Sequence, residues 1–352
     1  MANKKRLDPS TFNIPEDSIR AGHYTDKYFV RAREILKRDG RHPKVLMQIF
    51  QKDDVIVCGT DEAIGIIKRC ADKPESIKIM SLQDGESAKP YETVMTIEGD
   101  YASFAHLETL YLGVLARQTK VATNTRRAVE AAGGKQVLFF SARFDHFLNQ
   151  PGDGYAAHIG GAAAVSTDAQ GMWFDQEGIG TLPHGLIAAY DGDTVKATRK
   201  FADLMPEPVR VISLVDFDND SVGTSLAVAR ALGKRLWGVR LDTAGTMVDR
   251  SVVPQMSDFD PTGVNEVLVR NVRTALDTEG FGYVKIVVSG GFTAEKIARF
   301  EANNVPVDAY GVGSSLLRGS FDYTADVVVV NGRPCAKVGR RFRPNPRLKL
   351  VK

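Results

Sequence analysis

The sequence predicts an α/β protein organised around an irregular or incomplete, TIM-like α/β barrel, with a separate strand-rich region toward the N-terminus. Three observations carry this. From Gln136 onward, short apolar runs alternate with helical patterns, the signature of a parallel sheet. The last two runs, Val284–Val288 and Val305–Tyr310, each end in a glycine-rich turn, Ser289-Gly290-Gly291 and Gly311-Val312-Gly313-Ser314. After Gly319 the pattern reverts to strands, Val327–Val330 and Cys335–Val338, joined by the hairpin signal Asn331-Gly332. The C-terminus is therefore expected to return to the N-terminal strands, giving domain ranges of 1–134, 135–319 and 320–352.

In chain order, a helix is expected from Tyr24 to Leu36. Strands follow at Val45–Phe50, Val55–Val57, Ile77–Leu82 and Glu92–Ile97, separated by Asp, Gly and Pro turns. Asp61–Cys70 places Ala63, Ile64 and Ile67 at helical spacing. Phe104–Ala132 does the same with Leu107, Leu110, Tyr111, Val114 and Leu115, and Gly133-Gly134 ends it. The barrel strands are expected at Val137–Phe140, Gly161–Ser166, Gly178–Leu182, Val209–Val215, Leu236–Leu241, Val284–Val288 and Pro306–Tyr310. Helices are expected at His184–Phe201, Asp220–Leu232 and Thr262–Thr278, with Thr293 and Ser314 or Ser315 as caps after the glycine turns.

The 352 residues suffice for a large core, and 46 basic against 43 acidic residues give a net charge of +3, too balanced to argue for nucleic acid. The basic C-terminal stretch (Arg340, Arg341, Arg343, Arg347, Lys349, Lys352) reads as a solvated tail. No apolar run is long enough to cross a bilayer, and the opening MANKKRLDPS has no apolar segment behind its lysines, so no signal peptide is expected. Cys58, Cys70 and Cys335 form no Cys-x-x-Cys. That argues against a zinc site or a disulfide framework and fits a reducing cytoplasm.

In an α/β barrel, ligands meet the C-terminal ends of the strands, and the loops after the last two strands commonly hold a phosphate. The two glycine turns suit that role: glycine lets the backbone come close to a ligand, and free N–H groups at a helix start favour an anion. They are read as the floor of a site for a phosphorylated sugar. The other strand ends supply Arg143, Thr181 and His184, Asp216 and Asp218, and Arg240 and Asp242. Arg143 and Arg240 can hold a carboxylate or phosphate bidentately. Asp216, Asp218 and Asp242 could ligate magnesium or fix ribose hydroxyls. Plainer roles compete: Asp216 and Asp218 also suit turns or caps, Asp242 could simply pair with Arg240, and His184 could cap a helix. His146 and His158 read as structural.

Taken together, these residues resemble the nicotinate/nicotinamide phosphoribosyltransferases. Thr25-Asp26-Lys27-Tyr28 is similar to that family's N-terminal Thr-Asp-x-Tyr. Gly180-Thr181-Leu182-Pro183-His184 resembles its Gly-Thr-x-x-His box, Val239-Arg240-Leu241-Asp242 its Val-Arg-x-Asp box, and the two glycine turns its phosphate loops. The resemblance covers nearly the whole chain. It implies an N-terminal α/β sandwich completed by the C-terminus, beside an irregular barrel. It also implies transfer of phosphoribose from phosphoribosyl pyrophosphate to a pyridine carboxylate, for nicotinate a step of NAD salvage, with Mg2+ required and ATP as an optional co-substrate. By the same resemblance, Tyr28 would stack on the base from the neighbouring subunit of a homodimer or higher homo-oligomer, opposite Phe140. Arg143 would line the base or pyrophosphate site, Arg240 would contact the base, and Asp242 the ribose. Ser289, Gly290, Gly291, Gly311, Gly313 and Ser314 would hold the 5-phosphate. His184 matches the histidine phosphorylated in ATP-coupled relatives. Asp216 and Asp242 are the expected magnesium ligands.

Two stretches depart from the family pattern. Ala163 stands where relatives carry an acid, and Ser141-Ala142-Arg143 replaces the common Gly-x-Arg. Both fall where the base is expected. Losing an acid removes a repulsion and favours a carboxylate base over nicotinamide. Quinolinate or nicotinamide transfer, and a non-catalytic nucleotide-sensing relative, stand as the alternatives.

Overall fold

The computed structural model describes residues 6–352. Residues 1–5, part of the segment read for a leader, lie outside the described residues. The chain starts with α1 (Glu16–Arg20), α2 (Lys27–Arg38), β1 (Lys44–Phe50), β2 (Val55–Ile56) and α3 (Thr60–Cys70). Next come β3 (Lys78–Ser81), β4 (Ser87–Ala88), β5 (Thr93–Asp100), α4 (Tyr101–Phe104) and α5 (Glu108–Ala131). Then follow β6 (Gln136–Phe139), α6 (Gln150–Gly160), β7 (Ala164–Val165), α7 (Asp168–Gly171), α8 (His184–Ala189) and α9 (Thr194–Leu204). The remainder is β8 (Ile212–Leu214), α10 (Ser221–Leu232), β9 (Gly238–Leu241), α11 (Glu266–Thr278), β10 (Lys285–Val288), α12 (Ala294–Ala302), β11 (Ala309–Val312), β12 (Thr324–Val330), β13 (Arg333–Pro334) and β14 (Lys349–Leu350).

The chain divides into two compact units. The first holds the chain up to Thr123, Pro151–Gly160 and Arg318–Lys352; the second holds Asn124–Gln150 and Gly161–Leu317. The boundary after residue 134 thus falls earlier, inside α5, and α6 belongs to the first unit rather than the barrel.

In the first unit, β1 pairs antiparallel with β5 and with β12, so the C-terminal strand lies against the N-terminal ones. Among the described residues the sheet order is β13-β12-β1-β5-β3-β14. Asn331 and Gly332 both take positive φ (48° and 78°), as a two-residue hairpin turn demands. The second hairpin strand is Arg333–Pro334, not Cys335–Val338. The basic tail is exposed along most of its length, as expected, but it also supplies a sheet edge. Lys349–Leu350 pair with Met80–Ser81, Leu348 is buried, and Arg347 binds Glu92 at 2.9 Å and Glu86 at 3.3 Å. Arg340 likewise pairs with Asp326 at 3.2 Å, and composition alone reveals neither pairing.

In the second unit the strands run parallel in the order β7-β6-β11-β10-β9-β8. First and last in sequence, β6 and β11, are neighbours, so the order is that of a barrel cut between β7 and β8. Gly178–Leu182, expected as a strand, spans the cut without forming a ladder. Ile179 donates to the Val165 carbonyl at 2.8 Å and Leu182 to the Ile212 carbonyl at 3.3 Å. Glycine weakens a strand interior. Here a Cβ on Gly178 would lie 2.6 Å from the Thr167 backbone, so the site requires glycine and the strand stays irregular. The helix expected over His184–Phe201 is two helices. Asp191 and Gly192 at positive φ break it, and the Asp193 carboxylate restarts it by accepting from the Lys196 N–H.

Burial raises the Glu62 carboxyl on α3 to about 7, although Gln118 donates to it and opposes the rise; the Asp84 charge adds to it. Between the unfolded value near 4.5 and 7, the folded state keeps a proton that the unfolded state has lost, so stability falls as pH rises. Glu62→Gln should flatten the decline of Tm between pH 4.5 and 7 without abolishing it, because burial also holds Asp84 at about 6 and Glu108 at about 7. Thermal melts across that range check this, and an unchanged slope would disprove it.

Candidate active site

Strand alternation sets the site. In β9, Val239 and Leu241 are fully buried, and Arg240 between them points to the opposite face of the sheet. Its guanidinium donates to Thr181 Oγ1 at 2.9 Å, Ser289 Oγ at 2.8 Å and Asp242 Oδ2 at 2.9 Å. Ser289 Oγ in turn donates to Asp242 Oδ1 at 2.7 Å. Arg240, Asp242 and Ser289 therefore form a closed ring of three hydrogen bonds, each with an ionised donor or acceptor. The guanidinium carbon stands 5.3 Å from the centroid of the Phe140 ring, a cation–π distance.

The glycine turns flank this group. Gly290 and Gly291 take φ of 82° and 74°, backbone that an L side chain rarely adopts. Among the described residues the N–H groups of Gly290, Gly291, Gly313 and Ser314 have no acceptor within the protein. Thr293 caps α12 behind the first turn, and Ser315 Oγ donates to the Phe292 carbonyl at 2.7 Å, tying the turns together. The second turn leads into a 3-10 turn, Ser314–Leu317, not an α-helix. Unpaired N–H groups on two adjacent turns make an anion cradle. A Cβ on Gly311 would lie 2.6 Å from the Phe140 ring, and one on Gly313 2.6 Å from the Phe144 ring. These two glycines are there so that aromatic rings can lie against the floor.

A cleft of about 550 Å³ adjoins the cradle, lined among others by Phe140, Arg143, Thr181, His184, Arg240 and Asp242. Arg143 is exposed and makes no ion pair among the described residues. His184 Nε2 lies 3.1 Å from Asp216 Oδ1. Burial raises the Asp216 carboxyl above its ordinary range; His184 pulls it back, and the Asp242 charge adds to the rise. Both oxygens of Asp242 are engaged by side chains, one by Arg240 and one by Ser289, whereas Asp216 has His184 as its one side-chain hydrogen-bond partner among the described residues, beside a bond from its own backbone. No group of three His, Cys, Asp or Glu placed to hold a metal occurs among the described residues.

The structure thus brings together Phe140, Arg143, Thr181, His184, Asp216, Arg240, Asp242 and both glycine turns. Asp218 is exposed in a turn outside the cleft. Tyr28 belongs to the first unit, 62% exposed near the start of α2. The two departures do not face the cleft. Ser141 is buried and donates to the Gly313 carbonyl at 2.8 Å, and Ala163 lines a separate cavity inside the barrel. Sequence reasoning missed Phe144 and Phe292, which line the cradle beside Gly313 and Gly291. Their adjacency to Arg143 and Gly291 was the available signal.

The family profile described as quinolinate phosphoribosyl transferase, N-terminal domain, matches residues 26–119. A solved structure, the nicotinate-nucleotide pyrophosphorylase from Pyrococcus furiosus, is 33% identical with a TM-score of 0.83, covering 97% of this chain and 85% of that one. A curated relative, a nicotinate phosphoribosyltransferase of Mycobacterium tuberculosis, is 32% identical over 72% of this chain and 54% of its own length. The chain therefore spans about half the length of that relative. The human nicotinic acid phosphoribosyltransferase structure, 19% identical with a TM-score of 0.66 over 89% of this chain and 76% of that one, shares the fold. On this likeness, the chain belongs to the family that holds the nicotinate-nucleotide pyrophosphorylases and the nicotinate phosphoribosyltransferases.

Proposed function

We propose that the protein joins nicotinate to phosphoribosyl pyrophosphate, giving nicotinate mononucleotide and pyrophosphate, as a step of NAD salvage. The observation that carries this is Arg240, fixed by three hydrogen bonds over the Phe140 ring and beside the anion cradle. The cradle would take the 5-phosphate and the Phe140 ring one face of the base. Arg240 and the unpaired Arg143 supply two cations for a single carboxylate and the pyrophosphate. The ring nitrogen attacks the anomeric carbon as the bond to the pyrophosphate oxygen breaks, and the electron pair leaves with pyrophosphate. The nitrogen lone pair is already nucleophilic, so no general base is required. Asp242 stabilises positive charge growing on the ribose, and orientation against the fixed aromatic face supplies much of the rest.

Magnesium would neutralise the departing pyrophosphate. An ion carried on a diphosphate needs only one or two protein carboxylates. The donor set favours Asp216 for that contact, since Asp242 is committed to Arg240 and Ser289. His184, half exposed and oriented by Asp216, keeps Nδ1 without a protein partner among the described residues, which suits phosphoryl acceptance from ATP. No residue of α2 is fully buried, and Tyr28 and Ile35 are 62% and 65% exposed, which supports a second copy of the chain covering this helix.

Pyrophosphate release from phosphoribosyl pyrophosphate and Mg2+, with nicotinate, nicotinamide and quinolinate supplied separately, tests the assignment. Release with nicotinate is expected; release with only one of the others reassigns the base, and release with none supports a nucleotide-sensing role. Arg240→Lys should lower kcat/KM about a hundredfold, ~3 kcal/mol of transition-state binding, because an ammonium cannot keep all three partners. Retention of most activity would remove Arg240 from the centre of the site. His184→Ala should weaken stimulation by ATP more than basal transfer; equal loss of both would assign His184 to the core reaction or the fold.

Gly311→Ala should cost roughly 1–3 kcal/mol through overpacking against the Phe140 ring. Phe140→Ala should then recover part of that loss in a double-mutant cycle, read by denaturant melts. Strict additivity would show that the ring and this glycine do not meet.

A further inference from the structure

Inside the barrel lies a second cavity, of about 390 Å³, that the proposed reaction does not use. Barrel interiors are ordinarily filled by layers of large branched side chains. Here the buried layer is Leu138, Ile212, Val287 and Ala309, with Ala164 packed against it, and the alanines leave the space open. Gly178 and Gly180 on the irregular segment line it too. A volume of this size lies within the range of small-molecule sites.

The cavity has two ends. Phe140, Thr181, Ile179 and Gly180 line both it and the substrate cleft, so the two adjoin at the C-terminal ends of the strands. Gln136, Arg210 and Trp237, at or just before the starts of β6, β8 and β9, mark the other end. There the Arg210 guanidinium lies 4.8 Å from the Trp237 ring centroid, and Glu177 stands nearby. Neither Arg210 nor Glu177 makes an ion pair among the described residues.

We infer that this cavity is an extension of the base site and that the protein accepts pyridine carboxylates bearing an apolar ring substituent. The inference rests on the reading of the cleft as a base site. Phe140 lines both spaces, so a base lying on it is next to the cavity, and a substituent directed into it leaves water for walls of Leu138, Ile212 and Val287. Burying an apolar group there gains about 25 cal/mol per Å². Nicotinate itself leaves the space unfilled, so the cavity gives it nothing and a larger base everything.

The test uses nicotinate and 5-phenylnicotinate, whose substituent is attached to neither the reacting nitrogen nor the carbon bearing the carboxylate. Trp237 reports occupancy directly, in a Trp173→Phe background that removes the other tryptophan. Saturable change of Trp237 emission with 5-phenylnicotinate but not with nicotinate is expected. Ala309→Leu, which fills the cavity, should abolish that change. It should also lower kcat/KM for 5-phenylnicotinate at least about tenfold while leaving nicotinate within about twofold. Ala164→Leu provides the same block from the opposite wall should the first variant fold poorly. No change of Trp237 emission with 5-phenylnicotinate, or a change that survives both fillings, overturns the inference. Absence of pyrophosphate release with nicotinate is a separate result: it overturns the assigned reaction, while the Trp237 signal still decides the cavity.

Discussion

The site depends on one guanidinium. Arg240 is held at 2.8–2.9 Å by groups from three places in the chain: Thr181 on the irregular segment, Asp242 on its own strand end, and Ser289 after β10. Its side chain and that of Asp242 are 18% and 17% exposed, so the charges are largely withdrawn from water and must satisfy each other. Removing one partner of such a group leaves the other desolvated and unpaired, which costs more than the bond alone. The same contact pins Thr181 to the sheet where backbone pairing is thin, since among the described residues Gly178–Leu182 is joined to its neighbours by two backbone–backbone bonds.

That geometry explains what a reader of the sequence can and cannot see. Strand ends are legible because apolar runs stop abruptly: Val239-Arg240-Leu241-Asp242 and Ile286-Val287-Val288-Ser289 show where burial ends and polarity begins. The parallel sheet and the return of the C-terminus to the N-terminal strands followed from the same alternation and from Asn331-Gly332, whereas the strand order and the pairing with β1 came from the structure. Gly178–Leu182 misled because its apolar residues suit a strand, while the close approach of Gly178 to Thr167 is a three-dimensional constraint with no local trace. The basic tail misled for the converse reason. Arg340 and Arg347 look unpartnered until Asp326 on β12, and Glu86 and Glu92 far away in sequence, are brought beside them.

The roles of individual polar residues were less legible than their positions. Asp242 is acidic at a strand end, which fits a metal ligand, a ribose contact or an ion-pair partner equally well. Only the structure shows both oxygens taken by Arg240 and Ser289. Ser141 appeared as a change in the expected base pocket, yet its hydroxyl donates to the Gly313 carbonyl and so steadies the second glycine turn. Composition at a motif position does not say which way a side chain faces, and a one-residue turn of a strand end reverses it.

The open seam and the empty interior have a common origin. Gly178 and Gly180 are too small to pack across the barrel, so the segment carrying them gains little from joining the sheet and leaves space behind it. A bulkier segment would fill the cavity, but only after moving away from the Thr167 backbone, which a Cβ on Gly178 would meet at 2.6 Å. It would also have to move Thr181, which holds Arg240, and Ile179, which lines both cavities. The position of the central cation, the irregularity of the strand and the presence of a cavity beside the cleft are therefore coupled through one stretch of five residues, Gly178 to Leu182. A sequence that kept Arg240 but repacked this stretch would change the shape of the cleft before it changed the glycine cradle, because the cradle is built from the turns after β10 and β11 on the other side of Arg240.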